Sequence, residues 1–269
     1  MRRLRLHPVL ILLVALCGFL QLGIGRVWGS AWLLPPGDGQ IITSAMDSVS
    51  TWSFDAHGKL IPAPSYRKYE LSSYIEYGWT DWLTLVAVPA YDLVRTPTPG
   101  QSYTGVGQSE IAARLGLAHW ERTVLSMEVG LLTPGASLDY LGPFEVRRAG
   151  SLDVRGLAGR SFAVGDGMES FVDVQIGYRF YAQGQPGEWR IDLTGGLRPC
   201  PWLLFLLQDF TAITNGATQY GHVFWSKLQP GIVYDVSPQW SVQLGGFLSV
   251  AGFNAGREIG PLAGVWYRF

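Results

Sequence analysis

The sequence predicts an all-β chain: an antiparallel, up-and-down transmembrane β-barrel of about 12 strands, with its N- and C-termini periplasmic. Three observations predict it. The chain opens with an export segment, continues as strands that alternate apolar and polar residues, and closes on an aromatic residue, Phe269.

The composition suits such a barrel. The 269 residues include 11 Trp, 12 Tyr, 12 Phe and 34 Gly, and only 15% are charged, against roughly 25% in an average soluble domain. A soluble β-sandwich needs more surface charge than this. A barrel whose outer face meets lipid does not.

Arg2, Arg3 and Arg5 form a basic start, Val9 to Leu20 is an apolar core, and Gly29-Ser30-Ala31 places small residues at a peptidase site. Cleavage after Ala31 is the first choice and cleavage after Gly29 the second. The expected organisation is a cleaved segment over residues 1–31 and one barrel domain over 32–269. Leu16 precedes Cys17 where a lipoprotein signal needs a small residue, and the apolar stretch is short for a retained anchor. Taking the segment's four arginines from the 20 basic residues leaves 16 against 21 acidic ones, a net of −5, which argues against a nucleic-acid partner. Cys200 is then the one cysteine, so no intramolecular disulfide is expected. The most apolar later run, Pro201 to Leu207, is far below the ~20 residues of a membrane helix.

Strands are read at 40–53, 66–78, 82–93, 107–118, 123–133, 151–163, 168–181, 188–198, 201–213, 221–234, 239–252 and 256–269. Tyr69, Leu71, Ile75 and Tyr77 share one face of the second; Lys68, Glu70, Ser72, Tyr74 and Glu76 share the other. The seventh sets Val172, Val174, Ile176, Tyr178 and Phe180 against Asp173, Gln175, Gly177 and Arg179. Period two scatters apolar residues around a helix but collects them on one face of a strand. The strand 201–213 departs from the pattern by being apolar throughout its start, and 151–163 puts Arg160 outward, tolerable only near an interface.

The connections alternate. Phe54–Ser65, Val94–Val106, Pro134–Gly150, Ala182–Gly187, Asn215–Tyr220 and Phe253–Ala255 are the longer ones, the last only weakly. The connections between them are mostly tight. Long outside loops and short periplasmic turns give this alternation when both termini are periplasmic. Trp79, Trp82, Trp120, Trp202, Tyr234, Trp240, Trp266 and Tyr267 gather where strands meet turns, as an interfacial belt requires. Counting back from Phe269, Tyr267, Val265 and Ala263 are the alternate residues. That stripe resembles the assembly signal read by barrel-assembly machinery, with Tyr267 and Phe269 as its aromatic positions.

Three stretches look alike: Glu76 to Leu85, Gly231 to Val242 and, loosely, Gly116 to Leu125. Their pattern of Tyr-Gly, Thr-Asp, aromatic and Leu-Thr-Leu resembles proteobacterial outer-membrane barrels of the MetA-pathway phenol-degradation and transporter type. The resemblance implies movement of small, hydrophobic or aromatic, solutes across the outer membrane, and it brings no site residues with it. Ala31 to Gln40 is similar to the start of barrels found with exopolysaccharide genes. That similarity implies the alternative of a structural or export-accessory barrel with no open pore.

The candidate functional residues are lumen-lining: the acids Glu70, Glu76, Asp92, Glu110, Glu128, Asp153, Asp173 and Asp192, and the bases Lys68, Arg114, Arg155, Arg179, Arg190, Arg198 and Lys227. A ring of one sign would suggest ion selection. This even mixture predicts cross-strand ion pairs that fill a narrow lumen, with solute contact as the alternative. No enzyme is expected. His57 and His222 fall toward the outside and His119 in a periplasmic turn. His222 and Ser226 share a face but lie four residues apart along one strand, about 13 Å. No catalytic, metal or cofactor site is read from the sequence. The expected partners are outer-membrane lipid, the assembly machinery and a small solute.

Overall fold

The structure is a computed structural model that describes residues 30–97, 102–137, 145–146, 150–165, 168–182, 184–216 and 221–269. Residues 1–29 of the expected export segment 1–31 and most of the connection Pro134–Gly150 lie outside them. Among the described residues no helix is long and apolar enough to cross a membrane.

The chain forms a closed antiparallel barrel. Its strands are β1 (Gly39–Phe54), β2 (Leu60–Thr80), β3 (Leu83–Val88 continued by Ala90–Arg95), β4 (Tyr103–Val106 continued by Glu110–Trp120), β5 (Thr123–Leu132), β6 (Ser151–Val164), β7 (Met168–Tyr181), β8 (Glu188–Cys200), β9 (Leu203–Thr214), β10 (Phe224–Asp235), β11 (Trp240–Phe253) and β12 (Ala255–Arg268). β3 is interrupted at Pro89, which has no amide to give the ladder, and β4 at residues 107–109. The first half of β3 pairs with the second half of β4 and the second half of β3 with the first half of β4, so each is one barrel strand. Each strand pairs with its sequence neighbours, and β1 also pairs with β12 from Gln40 opposite Arg268 to Phe54 opposite Ala255. That last ladder removes the free edges a membrane barrel cannot leave unpaired.

The observed strands match the expected twelve, with one larger shift. β2 begins at Leu60, inside the expected connection Phe54–Ser65, and it includes Pro62 and Pro64. A register shift in β1 between Ser50 and Trp52 lets Pro62 stand opposite Trp52, and strand prolines are tolerated at such bulges. The first connection therefore shrinks to 55–59. Asp55 accepts from the amides of His57 and Lys59 at 2.8 and 2.9 Å, and Gly58 takes φ +77°. The last connection is not long at all: it is Asn254 alone, at φ +49°.

One end of the barrel carries the tight turns 81–82, 121–122, 201–202 and 236–239 together with Gly39 and Phe269. We call it the turn end and the opposite one the loop end. Trp79, Trp82, Trp120, Tyr234 and Trp240 point outward at the turn end. A second outward aromatic set at the loop end includes Trp52, Tyr91, Phe180, Trp189 and Phe253. Between them the outer wall is apolar, as at Leu71, Ile111, Ile176, Leu244 and Val265. Trp266 does not join the belt. It lies on the inward face of β12, 6% exposed, and donates its indole N–H to Gln243 Oε1 at 2.9 Å.

Candidate functional site: the lumen

At the turn end the chain's own segment 30–38 lies against the inner face of the wall. Ala31 donates its amide to Asp173 Oδ2 (2.7 Å) and accepts from Ser126 Oγ (2.8 Å). The Trp32 carbonyl accepts from Arg114, the Leu34 amide donates to Thr84 Oγ1 (3.0 Å), and the Gly37 amide donates to the Gly78 carbonyl (2.9 Å). The segment thus crosses from β7 to β2 inside the wall before turning into β1. Wall glycines make room for it. A Cβ on Gly159 would stand 2.5 Å from the Trp32 ring, one on Gly116 2.6 Å from Leu33, and one on Gly78 2.1 Å from the Pro35 carbonyl oxygen. Opposite, Leu204, Leu206, Val233 and Trp266 complete an apolar floor with Ala31, Trp32, Leu157 and Phe171. This explains the start of β9: Leu204 and Leu206 face inward, yet they meet the floor and not water.

Above the floor sits a charged layer. Arg114, 1% exposed, donates to Glu76 Oε1 at 2.5 Å and through Nε and Nη2 to Glu128 Oε2 at 2.9 and 2.7 Å. It also donates to the Tyr74 hydroxyl, which donates on to Glu76. Arg155 donates to Asp153 (2.8 Å), Gln175 and Asp192 (both 3.1 Å), and Arg179 donates to the other Asp153 oxygen at 2.9 Å. Guanidiniums suit this bridging because their donors form a rigid fork.

Toward the loop end, Lys68 pairs with Glu70 and Asp92 at 2.7 and 3.4 Å. Lys227 pairs with Glu258 at 2.5 Å, and Arg190 lies 3.6 Å from Glu188. Arg190 and Lys227 both stand over the Trp225 ring, at 5.1 and 4.7 Å from its centroid. Arg198 sits apart, at the turn end, where it pairs with Asp235 at 2.7 Å. Glu110 lies over Gly130, with no room for a Cβ between them. Asp173 holds the N-terminal segment.

Two cavities lie in the lumen among the described residues. The one next to the floor is about 340 Å³ and includes Ser30, Glu76, Arg114, Glu128, Arg155 and Asp192 in its lining. The other, toward the loop end, is about 500 Å³ and is lined in part by Met46, Lys68, Arg190, Trp225, Lys227 and Phe247. They share Ser44, Val88, Asp192, Phe210, Gln229 and Leu262. The two cavities therefore adjoin, and the lumen above the floor offers apolar and aromatic surface beside charge.

Several lumen groups escaped the sequence reading. Glu188, Asp235, Glu258 and Arg268 follow the same inward alternation as the candidates and were legible by register. The role of residues 30–38 had a weaker signal, the apolar run Trp32-Leu33-Leu34 placed before any strand. Among the described residues the histidines are not brought together. His57, His119 and His222 are exposed, and His119 lies in β4 and not in the turn. Ser226 donates to Asp209 at 2.6 Å. Among the described residues no group of three or more His, Cys, Asp and Glu side chains is placed to hold a metal.

No protein-family model matches the chain, and no curated protein matches it. Among solved structures it is similar to a COG4313 outer membrane channel from Pseudomonas putida, with 15% identity and a TM-score of 0.70 over 91% of this chain and 100% of that one. It is also similar to the NanC porin (8% identity, TM-score 0.52, covering 84% and 98%) and to the translocator domain of the autotransporter NalP from Neisseria meningitidis (10% identity, TM-score 0.51, covering 88% and 90%). The narrower likeness to MetA-pathway barrels is not supported by a family match. At these identities the likeness speaks for architecture: the fold is that of a bacterial outer-membrane β-barrel.

Proposed function

We propose that the protein is an outer-membrane channel for small solutes, including hydrophobic or aromatic ones, with both termini and the turn end in the periplasm. The observation that carries this reading is the lumen. Its two cavities adjoin, Phe210, Trp225 and Phe247 stand beside charged groups, and the floor at the turn end is built by the segment 30–38 together with inward side chains of the wall. Similarity to an outer membrane channel and a porin supports the same reading at the level of the fold. Twelve strands lie between the eight that side chains fill and the sixteen that leave an aqueous channel, so the segment decides passage.

The test is conductance in planar bilayers and uptake into liposomes, for wild type and for a variant lacking residues 32–36. Low conductance in wild type and a large increase in the variant are expected. A variant that is folded and passes neither ions nor solutes would sink the channel. The ion pairs and the apolar floor then favour the second reading, a closed structural or export-accessory barrel tied to exopolysaccharide. A surface-polysaccharide defect on deletion of the gene would support that reading, and unchanged surface material would count against it.

A further inference from the structure

The small-residue rule admits cleavage after Ala31 or after Gly29. The choice decides whether Ser30 and Ala31 belong to the mature protein. Ala31 is 1% exposed and bonded at both ends of its backbone, to Asp173 and to Ser126, which are themselves 1% and 2% exposed. Its methyl group also fills the space beside Gly159, where an added Cβ would stand 3.0 Å from it. Ala31 is therefore built into the floor as closely as Trp32.

Asp173 supplies the second observation. Its Oδ2 accepts from Ala31 and its Oδ1 from the Gln175 amide at 3.1 Å, and among the described residues it has no ion-pair partner. The nearby guanidiniums are engaged elsewhere, Arg114 by Glu76 and Glu128 and Arg155 by Asp153 and Asp192. A buried carboxylate without a counter-charge is costly. Ser30 lines the adjacent cavity, where Glu76, Glu110, Glu128 and Asp192 outnumber Arg114 and Arg155. Consecutive residues are about 3.8 Å apart, so a charge on the nitrogen of Ser30 lies one peptide unit from the amide that already touches Asp173.

We propose that the chain is processed between Gly29 and Ser30, and that the new α-ammonium group is the lumen counter-charge of Asp173. The inference rests on the export reading of residues 1–29. In the step, an export peptidase adds water across the Gly29–Ser30 peptide bond. Gly29 leaves with a carboxylate, and Ser30 keeps an amine that takes up a proton, its usual pKa being about 8. Cleavage after Ala31 would instead remove the residue that Asp173, Ser126 and Gly159 are arranged to receive.

Intact mass and N-terminal sequencing of the full-length chain, expressed in a Gram-negative host and extracted from its outer membranes, test the site. The expected start is Ser30-Ala31-Trp32. A start at Trp32 overturns the inference and leaves export standing; a chain that keeps residues 1–29 overturns both, and neither result touches the channel reading. The counter-charge is tested by acylation of the Ser30 α-amine with an amine-reactive ester. The reaction is expected to be about tenfold or more slower in the folded barrel than in urea, tenfold being 1.4 kcal/mol. Asp173→Asn is expected to raise the folded-state rate several-fold, and an unchanged rate would overturn the pairing.

Discussion

Trp32 meets Phe171 edge to face, with ring centroids 6.1 Å apart and planes at 84°. One ring belongs to the N-terminal segment and the other to the barrel wall, so this contact is a seam between segment and wall. Trp32→Ala removes one side of it. Truncating a packed aromatic costs about 3–5 kcal/mol. Here that loss falls on docking of the segment, since the barrel ladders do not include Trp32. Single-channel conductance should rise several-fold while the barrel's own heat-unfolding temperature moves little. Unchanged conductance would show that the segment is not the closure.

The glycine track offers a second route to the same state. Gly159→Val places a Cβ 2.5 Å from the Trp32 ring, so the segment has to move. Gly156→Val, three residues earlier on β6, meets nothing within 4 Å and serves as the control. Conductance of the two variants should diverge, with only Gly159→Val resembling Trp32→Ala.

Arg114 is shared by Glu76 and Glu128, all three buried. Arg114→Met leaves the buried Glu76 without its cation and Glu128 with only Arg155, 4.0 Å away, at a cost of about 3–5 kcal/mol. Adding Glu76→Gln and Glu128→Gln should restore most of that stability. Urea unfolding of the detergent-refolded barrel checks both steps. A single-variant loss below about 1 kcal/mol, the scale of an exposed pair, would refute the account.

Phe269 bonds Gly39 through both its backbone groups, at 2.8 and 3.0 Å, and its ring covers the face of Gly39 where a Cβ would fall. Phe269→Ala keeps the backbone bonds but removes the ring and the aromatic end of the Tyr267 stripe. If that stripe is an assembly signal, the variant should refold normally in detergent yet reach the outer membrane in several-fold lower amount. Equal membrane levels would argue that Phe269 acts only in closure.

Asp55 accepts two backbone amides in the first connection, which holds its carboxyl below the usual carboxylate range. A depressed folded value contributes stability above the unfolded pKa, and that stability is lost as pH falls through the folded one. Exchange protection of the His57 and Lys59 amides should therefore persist down to about pH 4, the ordinary carboxylate region, and fade only below it. Asp55→Asn should flatten that dependence.

The wall was legible because a strand facing lipid on one side repeats every two residues, and β7 shows that repeat from Val172 to Phe180 without interruption. The closure of β1 onto β12 was legible in the same way, from the alternation behind Phe269. Pro62 and Pro64 hid the start of β2, because a bulge that accommodates proline leaves no local mark. The last corner was legible to within a residue, at Phe253–Ala255; the structure adds that Asn254 alone, at positive φ, makes the turn.

What the sequence by itself determined is the barrel, its strand number and which face of each strand turns inward, since all three depend on local periodicity. Tertiary structure decided what fills the interior. Glu76, Arg114 and Glu128 lie on three different strands: the β4–β5 register sets Arg114 opposite Glu128, and Glu76 reaches Arg114 from across β3. Residues 30–38 carry no strand period, so their path across the lumen follows from space left by Gly78, Gly116 and Gly159 and from groups such as Asp173, 142 residues away from Ala31. Local patterning places a side chain on a face; whether that face meets water, a counter-charge or the chain's own beginning depends on contacts that exist only once the barrel has closed.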